Sequence, residues 1–157
     1  MTVKIWHYAA LALALGGALF SLYATWHYRE ARLAGKTDAL CNISEEFNCD
    51  QMALSVYAEF LKIPWGVWGL AFFTTLMVLL VLSLFKQQTR EEQVLAYSFW
   101  VGIGILISLS LGLVSWLGIG GWCLVCVGVY ATNLLQAVLL GVGLKKKIVS
   151  FSFSWKR

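Results

Sequence analysis

Two pairs of cysteines hold the chemistry open to this sequence. Cys123-Leu124-Val125-Cys126 is a Cys-x-x-Cys, and Cys41 and Cys49 are separated by seven residues. A dithiol at the first spacing can close a small disulfide ring and reopen it by exchange, so it is competent for two-electron transfer. The motif starts the last long apolar run, and Tyr130 and Asn133 follow Cys126 at steps of four and three. Cys123, Cys126, Tyr130 and Asn133 therefore form one stripe on a helix. Polar groups on a membrane helix are costly unless they face a partner, so the stripe is expected to point into a bundle or a cavity.

Four cysteines have other uses: small buried hydrophobes, a zinc site, or two static disulfides. All four fall on one side of the apolar runs and none lies mid-span, against the first use. The Cys-x7-Cys half has unusual spacing for a zinc knuckle, against the second. Static bridges stay open beside a redox relay. In a relay, a loop-borne dithiol meets a soluble protein, and the fixed pair lies at the mouth of a bundle that holds an apolar electron acceptor, most simply a quinone.

The elements that must position these residues follow from composition. The chain has 157 residues, 60% hydrophobic and 13% charged, with one proline, whereas a soluble domain is roughly a quarter charged. Four nearly charge-free stretches, about 6–26, 65–85, 94–117 and 122–144, reach the roughly 20 residues that cross a bilayer as a helix. The expectation is an all-α integral membrane protein, one domain over 1–157, built as a four-transmembrane-helix bundle. The run after Lys4 exceeds the roughly 7–15 residues of a signal core, which predicts an uncleaved helix. Trp6, His7, Trp26 and His27 fall at its ends and read as interfacial side chains, the histidines not as metal ligands. The tail from Lys145 is expected to hold no second domain.

The net charge of +4 comes without a basic stripe interleaved with aromatics, so nucleic acid is not an expected partner. Lys4, Lys86, Arg90, Lys145, Lys146, Lys147, Lys156 and Arg157 lie on one side of the four spans, against Arg29, Arg32, Lys36 and Lys62 on the other. The positive-inside rule puts both termini in the cytoplasm and both cysteine pairs outside, in a periplasm or lumen where disulfides form.

Residues 27–64 are the first outer loop, with 27–48 read as exposed. From Asn48 to Leu61, Met52, Ala53, Val56, Tyr57, Phe60 and Leu61 recur at helical spacing, which predicts a short amphipathic helix lying as a lid at the interface. Asn48 is its expected N-cap, with Gln51 three residues on as in a capping box. Pro64 is expected to break the chain before the second span. Gly102, Gly104, Ser108 and Ser110 suggest close helix packing in the third span, and 118–121 a short return. No phosphate loop or Gly-x-Gly-x-x-Gly occurs, so neither nucleotide nor flavin is expected, and no metal.

Taken together, Cys41-x7-Cys49, Ser55 six residues on, Pro64 with Gly69, and Cys123-x2-Cys126 followed by Tyr130 resemble the vitamin K epoxide reductase family, specifically its bacterial homologues, over nearly the whole chain. The resemblance implies a four-helix bundle around a quinone pocket, coupled to thioredoxin-like proteins outside the membrane. It makes Cys126 the cysteine nearest the quinone, Cys123 its partner, Cys49 the residue that exchanges with Cys123, and Cys41 the one that meets the soluble protein. Ser55 and Tyr130 match positions lining the pocket or its covering helix; Asn133 is added from the stripe. The asparagine of the animal enzymes at the start of the second span has no counterpart among Trp65, Gly66, Val67 and Trp68. The expected activity is oxidation of a separate DsbA-like periplasmic protein by ubiquinone or a menaquinone of the vitamin K type, in a bacterial inner membrane. The alternatives are reduction of vitamin K quinone or its epoxide by lumenal thiols, and a non-catalytic scaffold held by fixed disulfides.

Overall fold

In hydrocarbon the backbone has no water to bond, so apolar runs of this length must satisfy their N–H and C=O groups as helices. The computed structural model describes residues 3–35, 37, 41–44, 46–85 and 90–154. The long helices are α1 (Val3–Ala34), α3 (Trp65–Phe85), α4 (Arg90–Val114) and α5 (Leu124–Ser154). Each is long and apolar enough to cross a membrane, over Ile5–Ala34, Trp65–Ser83, Val94–Ile119 and Leu124–Val142. Leu19, Leu95, Leu106, Leu109 and Leu134 are exposed on their outer faces, as lipid-facing side chains should be.

α1 packs along α3 and α5, and α4 closes on α5. Small residues on α1 (Ala10, Ala14 and Ala18) are buried against Phe73, Leu76 and Leu80 of α3. Close approach continues upward to Gly66. A Cβ there would lie 2.5 Å from Thr25 Oγ1, 2.7 Å from the Thr25 backbone nitrogen and 2.9 Å from the Ser21 carbonyl oxygen. Two of those neighbours are backbone and cannot rotate away. Gly66→Ala is accordingly expected to destabilise the bundle by about 1–3 kcal/mol in unfolding titrations, whereas Gly16→Ala, whose nearest neighbour is a methyl group 4.0 Å away, should be tolerated. Away from the cysteines, Gln136 of α5 is fully buried, donates to the Ala10 carbonyl at 3.1 Å and accepts from the Tyr97 hydroxyl. That polar knot ties α1, α4 and α5 together.

Element ends depart from the sequence reading. The first span, expected over 6–26, runs Val3–Ala34, so His27 to Ala34 are helical rather than loop. Beyond Trp26, Ala31 is buried, Tyr28 donates to Glu59 Oε2 at 2.7 Å, and Arg32 lies over the Tyr28 ring. The last helix starts at Leu124 rather than 122 and continues to Ser154, past the apolar stretch that ends at Val142. α4 passes into a π-helical turn, Ser115–Ile119, which ends on Gly120 at φ 72°, a left-handed conformation that suits glycine. Of the small residues read as packing sites, Gly104 does face Phe72 and Asn133, while Gly102 has open space.

The lid helix is shorter than expected. α2 spans Cys49–Leu54, followed by a turn and a two-strand hairpin, β1 (Glu59–Phe60) with β2 (Ile63–Pro64). Leu61 and Lys62, at φ 54° and 63°, form its tight turn. The Asn48 side chain accepts from the Gln51 N–H at 3.0 Å, as an N-cap should. The reciprocal half of a capping box is absent, because the Asn48 N–H instead donates to the Trp122 carbonyl, while Gln51 Nε2 donates to the Ile119 carbonyl. Pro64 ends β2, and α3 begins at Trp65.

Candidate functional site

A short backbone splice brings the two cysteine pairs together. Phe47 pairs in parallel with Trp122: the Trp122 N–H donates to the Glu46 carbonyl at 2.7 Å and the Asn48 N–H to the Trp122 carbonyl at 3.0 Å. The next residues on each strand are those around Cys49 and Cys123, so this register sets the two sulfurs side by side. Cys41 and Cys49 are joined as a disulfide, and Cys123 and Cys126 are free thiols. Cys123 Sγ lies 3.3 Å from Cys49 Sγ, within the roughly 3–3.5 Å of a near-attack arrangement.

Burial makes the contact selective. Cys49 is 1% exposed and Cys41 3%, and both pack with Cys123 and Val125 in a cluster bordered by Tyr23, Ala24 and Met52. Cys123 stands one residue before the membrane-spanning stretch Leu124–Val142. The adjacent Cys126 thiol, followed by the N–H groups of Cys126 and Val125, outweighs burial and holds the Cys123 thiol below its usual range. The Cys126 N–H reaches Cys123 Sγ at 3.3 Å. Cys123 is therefore biased toward thiolate, the form that attacks a disulfide.

A network invisible in the sequence fixes the loop. Asn42, beside Cys41, accepts from the Cys49 N–H at 2.9 Å and donates to Asp50 Oδ2 at 2.8 Å and to the Thr37 carbonyl at 2.9 Å. Asp50 also accepts from the Thr37 N–H and hydroxyl, both at 2.8 Å. His27 of α1, expected at the interface, is instead buried with Nε2 3.1 Å from Asp50 Oδ1. The two groups are close without an aligned hydrogen bond between them. Burial raises the Asp50 carboxyl, but the Thr37 and Asn42 hydrogen bonds and nearby His27 together hold it below the usual carboxylate range.

Below the sulfurs lie two adjoining apolar cavities of about 80 and 110 Å³, each several times the roughly 10–15 Å³ that holds one water. Cys126, Tyr130, Trp65, Gly66, Ala24 and Leu111 line both. The outer cavity reaches Cys49, Cys123 and the lid residues Met52 and Ala53, and the inner one reaches Ser21, Gly69, Phe72 and Asn133. An apolar chamber with a few convergent polar groups suits a flat conjugated ring with polar edges, such as a quinone.

The stripe read from the sequence is thus assembled at one place, from Cys123 beside the disulfide to Asn133 in the inner cavity. Asn133 Nδ2 donates to Ser108 Oγ at 2.8 Å and to the Gly104 carbonyl at 3.4 Å. Ser55 stands apart from both chambers. It ends α2, its hydroxyl donates to the Met52 carbonyl at 2.8 Å, and it borders a separate shallow depression with Tyr57 and Gly118. The sequence reading missed Ser21, whose buried hydroxyl has no partner; one serine in an apolar run carries no periodic signal. No individual curated protein matches the chain. A sequence model of the vitamin K epoxide reductase family, however, matches residues 8–140, a span that includes all four cysteines, both cavities and the lid, and the chain belongs to that family.

Proposed function

We propose that the chain oxidises a reduced thioredoxin-like, DsbA-like protein on the periplasmic face of a bacterial inner membrane and passes the electron pair to a membrane quinone. Family membership makes it an oxidoreductase of the quinone-linked, disulfide-exchanging kind in general. The finer reading rests on one observation: Cys123 Sγ stands 3.3 Å from the Cys41–Cys49 disulfide, while its partner Cys126 lines an apolar cavity. Both termini lie in the cytoplasm on this reading, and the cysteines outside.

The steps balance through the chain's own sulfurs. The partner's thiolate attacks the Cys41–Cys49 disulfide at Cys41; its second thiol resolves the mixed disulfide, leaving the partner oxidised and Cys41 and Cys49 reduced. Cys49 then attacks Cys123 of a Cys123–Cys126 disulfide and expels the Cys126 thiolate; Cys41 resolves the Cys49–Cys123 bond. The arrangement observed, with the loop pair oxidised and Cys123 and Cys126 free, is the product of that exchange. A quinone, ubiquinone or a menaquinone of the vitamin K type, supplies an acceptor for two electrons and two protons, which restores the Cys123–Cys126 bond. Tyr130 and Trp65 line both cavities together with Cys126. Cys41, at 3% exposure, becomes available to a partner only when its loop lifts.

The test uses the full chain in lipid vesicles with a reduced thioredoxin-like protein and a short-chain quinone. One quinol should appear per disulfide formed, and Cys123→Ala should abolish both. Partner oxidation that continues without quinone, or that survives in Cys123→Ala, would sink the reading.

A further inference from the structure

Resting on that quinone reading, we infer that the Ser21 hydroxyl donates a hydrogen bond to a carbonyl oxygen of the quinone in the inner cavity. Hydroxyls on the membrane helices of this chain routinely satisfy themselves on their own backbone. Thr25 donates to the Ser21 carbonyl at 2.8 Å, Thr74 to Leu70 at 2.7 Å, Thr75 to Ala71 at 2.9 Å, Ser98 to Val94 at 2.6 Å and Ser110 to Leu106 at 2.9 Å. Ser21 does not. It is 1% exposed, and among the described residues its Oγ is the buried hydroxyl oxygen left without a partner. A buried hydroxyl without a partner carries the full cost of desolvation, so its retention in that geometry points to a ligand.

The surroundings say which ligand atom. Ser21 and Gly69 line the inner cavity together with Cys126, Tyr130 and Asn133. A Cβ at Gly69 would come within 2.6 Å of Ser21 Oγ, so glycine keeps the hydroxyl uncovered on the α3 side. Asn133 has committed its Nδ2 hydrogens to Ser108 and Gly104 and offers the chamber only an acceptor. A carbonyl oxygen needs a donor. The hydroxyl donors on the walls are Tyr130, on the cysteine-bearing helix, Ser108 of α4, whose oxygen already accepts from Asn133, and Ser21 on α1, which alone of the three is buried without any partner. A quinone has two carbonyl oxygens, and the Ser21 hydroxyl answers one of them with a neutral hydrogen bond suited to an apolar site.

The assignment is tested with the full chain in lipid nanodiscs and a short-chain ubiquinone. Quinone affinity is read by quenching of the cavity tryptophans, and the carbonyl stretch of the bound quinone by infrared difference spectroscopy. Ser21→Ala is expected to weaken binding about three- to tenfold and to move one carbonyl band to higher frequency. The quinone-free protein should melt no lower than wild type, since the substitution removes an unpartnered hydroxyl. A purely structural role for Ser21 would leave the carbonyl band in place. Unchanged affinity and unchanged bands in Ser21→Ala, with the wild type binding normally, overturn the assignment of Ser21 alone; no saturable binding by the wild type overturns the quinone reading and this inference together.

Discussion

Cys126→Ser is expected to arrest the chain with Cys49 bonded to Cys123. In the observed arrangement the Cys123 thiol already lies 3.3 Å from Cys49 Sγ. Its attack forms the Cys49–Cys123 bond, breaks the Cys41–Cys49 bond and leaves Cys41 as the thiolate. In the wild type, Cys126 can attack Cys123 in turn and expel Cys49, so the mixed disulfide stays transient. Serine cannot, which leaves only the return attack of Cys41 on Cys49. Non-reducing peptide mapping should therefore recover the Cys49–Cys123 pair with Cys41 free, and quinone-dependent turnover should fall on the order of a thousandfold or more, as when a nucleophile is removed. Cys123→Ser should keep the Cys41–Cys49 bond and lose turnover equally. Recovery of an intact Cys41–Cys49 bond from Cys126→Ser would mean that the close sulfur contact is packing alone.

The residues that carry this prediction are legible in the sequence, because their signals are local. Four charge-free runs announce four spans, a Cys-x-x-Cys announces a dithiol, and steps of three and four from Cys126 place Tyr130 and Asn133 on its face. Asn48 was readable as a cap for the same reason. What was not legible depends on pairs distant in the chain. The polar letters of His27 to Ala34 read as loop, yet Ala31, Glu30 and Arg32 are good helix formers, and the segment is held by contacts to Glu59 and Asp50 that no window of sequence contains. The predicted lid ran to Leu61 on hydrophobic spacing. The structure stops it at Leu54, where Ser55 takes an extended conformation and the chain turns into a hairpin that delivers Trp65 to the cavity. The parallel splice of Phe47 to Trp122, which sets the sulfur distance, joins residues 75 positions apart.

The second large effect concerns Asp50. Its carboxylate accepts three hydrogen bonds from Thr37 and Asn42 and lies 3.1 Å from His27 Nε2, and the same Asn42 holds the Cys49 N–H. Asp50→Ala removes the hub and leaves the Thr37 N–H, the Thr37 hydroxyl and one Asn42 hydrogen seeking partners. Breaking a buried, multiply bonded carboxylate costs about 3 kcal/mol, so the amide protection of Cys49 in hydrogen exchange is expected to fall about a hundredfold. The wild type should show the same loosening with acid. A carboxyl held below its usual value, about 3.9, binds protons less readily when folded than when unfolded. Its contribution is therefore complete above about pH 4 and is lost as pH falls through the depressed folded value. Asp50→Asn should remove that acid limb while keeping part of the network, since one amide oxygen still accepts. If Asp50→Ala keeps wild-type protection at Cys49, the Phe47–Trp122 splice holds the loop by itself and the network serves only to bury His27.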